Sequence, residues 1–114
     1  MDDYLAERLE QIRWAARNAC DYSDGMAIEE FIADLRTQQA CALNLIIIGE
    51  AAKRILERYP DMPAQHPTVP WRYMAAMRNH IAHEYEKLNF NIVFDTVAQD
   101  LPELIVQIDL LLSR

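Results

Sequence analysis

The length, composition and charge of the chain limit what kind of protein it can be. Its 114 residues, 52% of them hydrophobic, are enough for one folded domain over residues 1–114 but not for two. Only two glycines are present, which favours a few long helices over a sheet of many strands. The net charge of −7 makes the surface as a whole a poor ligand for nucleic acid, so any RNA contact must come from a local basic site.

No targeting or membrane-spanning segment is predicted. The amino terminus, MDDYLAERLE, is acidic and does not resemble a signal peptide. The longest apolar run, Leu45 to Gly49, is too short to cross a bilayer. Cys20 and Cys41 lack CxxC spacing and lie in apolar helical surroundings, so we expect both to be reduced core residues. These features predict a cytoplasmic protein with no membrane association.

The first predicted elements are a helix, a turn and a second, short helix. Apolar residues recur at steps of four, three, four and three along one side of the first helix: Leu5, Leu9, Ile12, Ala16 and Ala19. The sequence Ser23-Asp24-Gly25 is a turn signal that ends this helix. A short helix is predicted from Ile28 to Ala33.

A long helix is predicted from Arg36 to Tyr59. Around Ile46 to Ile48 it is apolar on nearly all sides, and a helix of this kind is buried on more than one side. It is either the central core helix of a monomer or a helix whose second side faces another copy of the chain. In the second case Gly49, Ala51 and Ala52 would allow the other copy to approach closely.

The second half of the chain predicts a connection and two further helices. The segment PDMPAQHPTVPW holds four of the five prolines and should be stiff and extended, with Thr68 as a helix cap and Pro70 in the first helical turn. The next helix runs to about Glu86. The last has one apolar stripe and a kink or break at Pro102; the stripe comprises Val93, Val97, Leu101, Leu104, Ile108 and Leu111. The prediction is all-α, an antiparallel four-helix bundle with a short extra helix and no strand.

The candidate site is the sequence MRNHIAHEY, Met77 to Tyr85. At about 100° per residue, Arg78 and Tyr85 share one stripe of a helix, while Asn79 and His83 share a neighbouring one. Arginine binds phosphate oxygens and stabilises transition-state charge, and imidazole exchanges protons near neutral pH. Because RNA carries its own nucleophile, the 2′-hydroxyl, these groups suit phosphodiester cleavage without a metal.

The same residues allow simpler interpretations. His83 could be a structural group with satisfied hydrogen bonds, and Arg78 a structural ion-pair partner. His80 and His83 could hold a metal only if a neighbouring glutamate joined them, so no metal site is expected. Tyr85 could be a core aromatic with its hydroxyl at the surface.

The order Arg78, four residues, His83, one residue, Tyr85 resembles the R-x4-H-x-Y motif of the HepT-like toxins of the HEPN superfamily. The resemblance extends over most of the chain in the order of the family. The segments that carry it are NLIIIGEAAKRI, Asn44 to Ile55; HPTVPWRYMAAMRN, His66 to Asn79; and DLPEL, Asp100 to Leu104.

The resemblance implies a HEPN bundle that forms a homodimer and brings two copies of the motif into one cleft. It implies a metal-independent endoribonuclease without cofactors, the toxin of a type VII-like toxin–antitoxin system, with Arg78 and His83 catalytic and Asn79 in support. The implied partner is an MntA-like minimal nucleotidyltransferase antitoxin that attaches AMP to Tyr85 or silences the toxin by binding.

RNA would also contact basic residues beside the motif, for which the candidates are Arg72, Lys53, Arg54 and His80. The competing interpretation is a non-catalytic HEPN module that docks a nucleotidyltransferase or binds nucleotides. A purely structural bundle would leave the polar residues of Met77 to Tyr85 without a role.

Overall fold

The computed structural model describes residues 1–114 and contains helices but no β-strand. The helices are α1 (Asp3–Tyr22), α2 (Ile28–Ile32), α3 (Leu35–Arg58), α4 (Met62–Gln65), α5 (Trp71–Glu84), α6 (Phe90–Asp95) and α7 (Leu101–Leu112). A 3₁₀ turn, Tyr85–Lys87, follows α5, and a π-helical turn, Thr96–Asp100, joins α6 to α7. The predicted all-α class is confirmed.

Short acidic side chains cap the starts of the two longest helices, α1 and α3. Asp2 accepts a hydrogen bond from the backbone N–H of Leu5 at the start of α1, and Asp34 accepts one from Thr37 at the start of α3. These bonds lower the pKa of both carboxyls, although for Asp2 the larger cause is the hydrogen bond from the Tyr59 hydroxyl. Helix α1 is thereby tied to the end of α3.

The buried apolar side chains form one cluster around α3, which packs most extensively on α5 and α1. The predicted stripes of α1 and of the last helix both face this cluster, although Leu5 is only partly buried. Helix α1 also packs on α7, whereas α5 and α7 touch little and leave a shallow apolar groove above Leu45 and Ile48. The closed four-helix bundle therefore stays a prediction.

Two details of the second half differ from the prediction, and a third, the break near Pro102, agrees with it. The proline-rich connection is not wholly extended, because it contains the single turn α4. Thr68 does not cap α5: Pro70 occupies the cap position without a side-chain bond, and the carbonyl of Thr68 accepts from Gln107 instead. The last helix is broken by the π turn that ends just before Leu101 and Pro102. The turn is expected here because proline lacks the backbone N–H needed to continue an ordinary α-helix.

In the alternative in which α3 faces another copy, Gly49, Ala51 and Ala52 are not the contact, because the chain itself buries all three. The two cysteines are free thiols, with Cys41 in the core and Cys20 partly buried. Burial raises the pKa of both thiols, that of Cys41 to about 11. None of the helices is long and apolar enough to span a bilayer.

Candidate active site

Arg78 lies where α5 crosses α3, and Gly49 makes the crossing possible. A β-carbon added to Gly49 would lie 2.2 Å from the β-carbon of Arg78 and 2.5 Å from the carbonyl oxygen of Met74. No real side chain tolerates such distances, so a glycine is required wherever the two backbones come this close. Gly49 therefore fixes the position of the Arg78 backbone relative to α3.

The guanidinium of Arg78 is held by two side-chain hydrogen bonds. Its Nε donates to Oε2 of Glu50 on α3 at 3.0 Å, and its Nη1 donates to Oδ1 of Asn79 at 3.2 Å. The other carboxylate oxygen of Glu50 faces Nε of Arg54 at 3.6 Å. The Arg78 side chain is 28% exposed, so the outer edge of its guanidinium is accessible to solvent.

His83 lies at the far end of α5 in a different environment. Its side chain is exposed and makes no hydrogen bond or ion pair. An imidazole of this kind is free to approach a substrate or another chain. The structure thus places Asn79 directly against Arg78, but it does not join His83 to them.

Tyr85 does not share a helical stripe with Arg78, contrary to the helical-wheel prediction. Helix α5 ends at Glu84, whose φ and ψ of −129° and 29° are not helical, and Tyr85 begins the 3₁₀ turn. Its ring meets the edge of Phe90 at a centroid distance of 6.0 Å. The residue is 39% exposed, so Tyr85 lies at the surface and is not a core aromatic.

The remaining predicted residues lie on the exposed surfaces of α3 and α5. Arg72 and Lys53 are exposed without an ion pair, and Arg54 contacts Glu50. His80 faces Glu84 instead, with Nδ1 to Oε2 at 3.4 Å. No three His, Cys, Asp or Glu side chains come together as a metal-binding group.

Glu50 is the residue of the site that the sequence prediction does not single out. A signal for it exists, because Glu50 follows Gly49 in the GEAAKR segment that carries part of the family resemblance. The spacing Glu50, three residues, Arg54 is also the spacing of an i,i+4 ion pair on a helix. Its contact with Arg78 spans 28 positions of sequence, however, and no local pattern predicts such a contact.

The comparison with known proteins assigns the chain to a family. The model of the Ribonuclease HepT-like family matches residues 12–111, nearly the whole chain, so the chain belongs to this family. This confirms the resemblance found in the sequence. No solved structure gives a significant match.

Two relatives illustrate the relationship. The chain is 38% identical over 105 residues to a protein named "Probable ribonuclease HepT" from Thermococcus cleftensis, with 90% of this chain and 86% of the relative covered. It is 34% identical over 93 residues to "Putative RNase MJ0127" from Methanocaldococcus jannaschii, with 82% and 74% covered.

Proposed function

We propose that the protein is a metal-independent endoribonuclease, the toxin of a type VII-like toxin–antitoxin system that acts in the cytoplasm. The observation that carries the proposal is the held but accessible guanidinium of Arg78, on the same helix as an unpartnered imidazole, in a chain of the Ribonuclease HepT-like family. The names of the two relatives point to the same reaction class.

In the proposed reaction the RNA 2′-hydroxyl attacks the adjacent phosphorus, and the bond to the 5′-oxygen of the next nucleotide breaks. Arg78 binds the phosphate oxygens and stabilises the extra charge of the transition state, while Asn79 supports the guanidinium. His83 moves a proton, either from the 2′-hydroxyl or to the leaving 5′-oxygen. The products are a 2′,3′-cyclic phosphate and a 5′-hydroxyl.

We propose that two copies pair through the exposed side of α3 and bring two motifs into one cleft. Leu43, Ile46 and Ile47 recur at helical spacing on this side, and Leu43 is 58% exposed. Because Arg78 and His83 are about 140° apart around α5, Arg78 of one copy can meet His83 of the other. Lys53, Arg54 and Arg72 would extend a basic groove for RNA, with His80 at its margin.

We further propose that an MntA-like nucleotidyltransferase antitoxin silences the enzyme, by attaching AMP to Tyr85 or by binding alone. The exposure of Tyr85 supports access by a modifying enzyme. An attached AMP would add bulk and a negative phosphate beside the motif. That phosphate would repel RNA and compete for Arg78.

The proposal is tested by RNA cleavage with the purified protein in EDTA, beside a His83→Ala variant, with the product ends identified. Cleavage by the wild type alone, leaving a 2′,3′-cyclic phosphate, is the expected result. Cleavage that requires an added divalent metal would contradict the metal-free mechanism. If neither protein cleaves, the intact mass decides between a silenced, AMP-bearing enzyme and an inert protein.

The second candidate is a non-catalytic module that docks the nucleotidyltransferase or binds nucleotides. The observation in its favour is the Arg78–Glu50 ion pair, because an arginine so engaged can also serve a structural role. Arg78→Ala and His83→Ala separate the two functions. An enzyme loses cleavage in both variants and keeps partner binding, whereas a module has no cleavage to lose.

A further inference from the structure

Glu50 is the acidic side chain in direct contact with the proposed catalytic arginine, and both of its carboxylate oxygens are engaged. Oε2 accepts the hydrogen bond from Nε of Arg78 at 3.0 Å, and Oε1 lies 3.6 Å from Nε of Arg54. The carboxylate is about one-third exposed, so it lies at the surface where substrate would bind and not in the core. A negative charge in this position needs an explanation in a protein that binds RNA.

The contacts leave one edge of the Arg78 guanidinium open. Arginine has five N–H donors in one plane. Glu50 takes the Nε–H and Asn79 takes one hydrogen of Nη1, so both hydrogens of Nη2 and the second of Nη1 have no partner in the chain. These free N–H groups can donate to phosphate oxygens.

We propose that Glu50 is a positioning residue for the ribonuclease reaction, which holds Arg78 by Nε so that its Nη edge faces the scissile phosphate. Gly49 sets the backbone of Arg78, and Glu50, the next residue on α3, sets the orientation of its side chain. Arg54 offsets part of the charge that Glu50 would otherwise present to RNA. This role of Glu50 rests on the proposed function.

The charge and the positioning effect of Glu50 act on different kinetic constants. A carboxylate near the phosphate site weakens RNA binding, so its removal leaves KM unchanged or lower. A guanidinium that is no longer held must be ordered during the reaction, so kcat falls. If the ion pair were merely structural, its loss would change at most the thermal midpoint. It would not lower kcat at constant KM.

The test compares Glu50→Gln and Glu50→Ala with Glu57→Gln as the matched control. Glu57 lies two turns further on the same stripe of α3, is exposed and forms no ion pair, so the control removes an equal charge at a similar place. We expect kcat to fall about 10²-fold in Glu50→Ala and less in Glu50→Gln, with KM no higher. Glu57→Gln should leave kcat unchanged.

A second readout needs no catalysis. In ¹H–¹⁵N spectra the Nε–H of Arg78 should exchange slowly in the wild type and in Glu57→Gln, and fast in Glu50→Ala. Wild-type kcat in Glu50→Ala, a loss found entirely in KM, or equally fast Nε–H exchange in the wild type would each overturn the role of Glu50. A wild type with slow exchange and an unmodified intact mass that cleaves no RNA would instead overturn the proposed function, and the role of Glu50 with it.

Discussion

The two ends of the Arg78–Tyr85 motif, one in the middle of α5 and one where α5 ends, differ in how the protein holds them. At Arg78 the helix is pressed against α3, with no room for a β-carbon on Gly49, and the guanidinium is bonded to Glu50 and Asn79. At His83 and Tyr85 the helix ends, the backbone changes to a 3₁₀ turn and the side chains are exposed. The Arg78 half of the motif is held in place by contacts within the chain, whereas the half that carries His83 and Tyr85 faces outward.

This difference bears on how a small acidic protein could cleave RNA. A phosphate-binding arginine must be pre-ordered, because ordering it during the reaction raises the barrier. A proton-transferring imidazole must reach the substrate, and exposure leaves it free to do so. We propose that pairing of two copies joins an anchored end to an outward-facing end. Substitutions at the two ends should therefore have different effects on stability and on catalysis.

The largest expected effect is on catalysis at the outward-facing end. His83→Ala should lower RNA cleavage by roughly 10²–10⁴-fold, the usual contribution of a general acid or base. Because His83 is exposed and unbonded, the thermal midpoint should hardly move. Cleavage assays and thermal unfolding of the same preparations check both parts. A variant that cleaves normally would remove His83 from the mechanism.

The anchored end should behave in the opposite way, losing stability and activity together. In an open helix Gly→Ala stabilises by about 0.5–1 kcal/mol, but in Gly49→Ala the new β-carbon would collide with Arg78 and the carbonyl of Met74. Such overpacking destabilises by about 1–3 kcal/mol, and displacement of Arg78 should lower kcat about 10²-fold. Chemical denaturation measures the first effect. A more stable, fully active variant would mean that the two helices can separate at this crossing without cost.

Tyr85→Phe tests whether the outward-facing end is the place of control. The edge contact with Phe90 survives without the hydroxyl, so the thermal midpoint should hardly move. The rate of RNA cleavage should stay within a few-fold of wild type. Silencing by the antitoxin with ATP should be lost, since phenylalanine offers no oxygen for AMP. Cleavage is compared after incubation with and without the antitoxin. Complete silencing of Tyr85→Phe would exclude the covalent route and leave silencing by binding.

The smallest effect is expected at the basic residues beside Arg78. Lys53→Ala removes one proposed phosphate contact, so RNA affinity should fall a few-fold. The negative slope of log K against log salt should become less steep by about 0.7. Titrations with single-stranded RNA at several salt concentrations give this slope. The matched control is Arg36→Ala, an exposed basic residue in the first turn of α3 that forms no ion pair. An equal change in the control would mean a general charge effect and no groove along α3.

The sequence predicts the helices well because the apolar periodicity of α1, α3 and the last helix reflects burial against one core. The spacing of Arg78 and His83 matches a family motif, and their catalytic roles stay a prediction. The sequence does not predict the break at Glu84, so Tyr85 is assigned to the wrong stripe. No proline or glycine marks this helix end, so the local sequence carries no signal for it.

Gly49 shows a second limit of sequence analysis. Its small size correctly indicates a close approach, but the sequence does not say which helix approaches, and the partner is α5 of the same chain. The bond between Glu50 and Arg78 is hidden for the same reason, since the two residues are joined only by that crossing. Local patterns describe faces of helices, whereas contacts between distant residues follow from the packing.

The most direct test of the paired site uses two inactive variants. Arg78→Ala and His83→Ala are co-expressed with different tags, and the mixed pair is isolated by sequential purification on both tags. If Arg78 of one copy works with His83 of the other, the mixed pair recovers cleavage that neither parent shows. A mixed pair as inactive as its parents, or no mixed pair at all, would contradict the shared cleft.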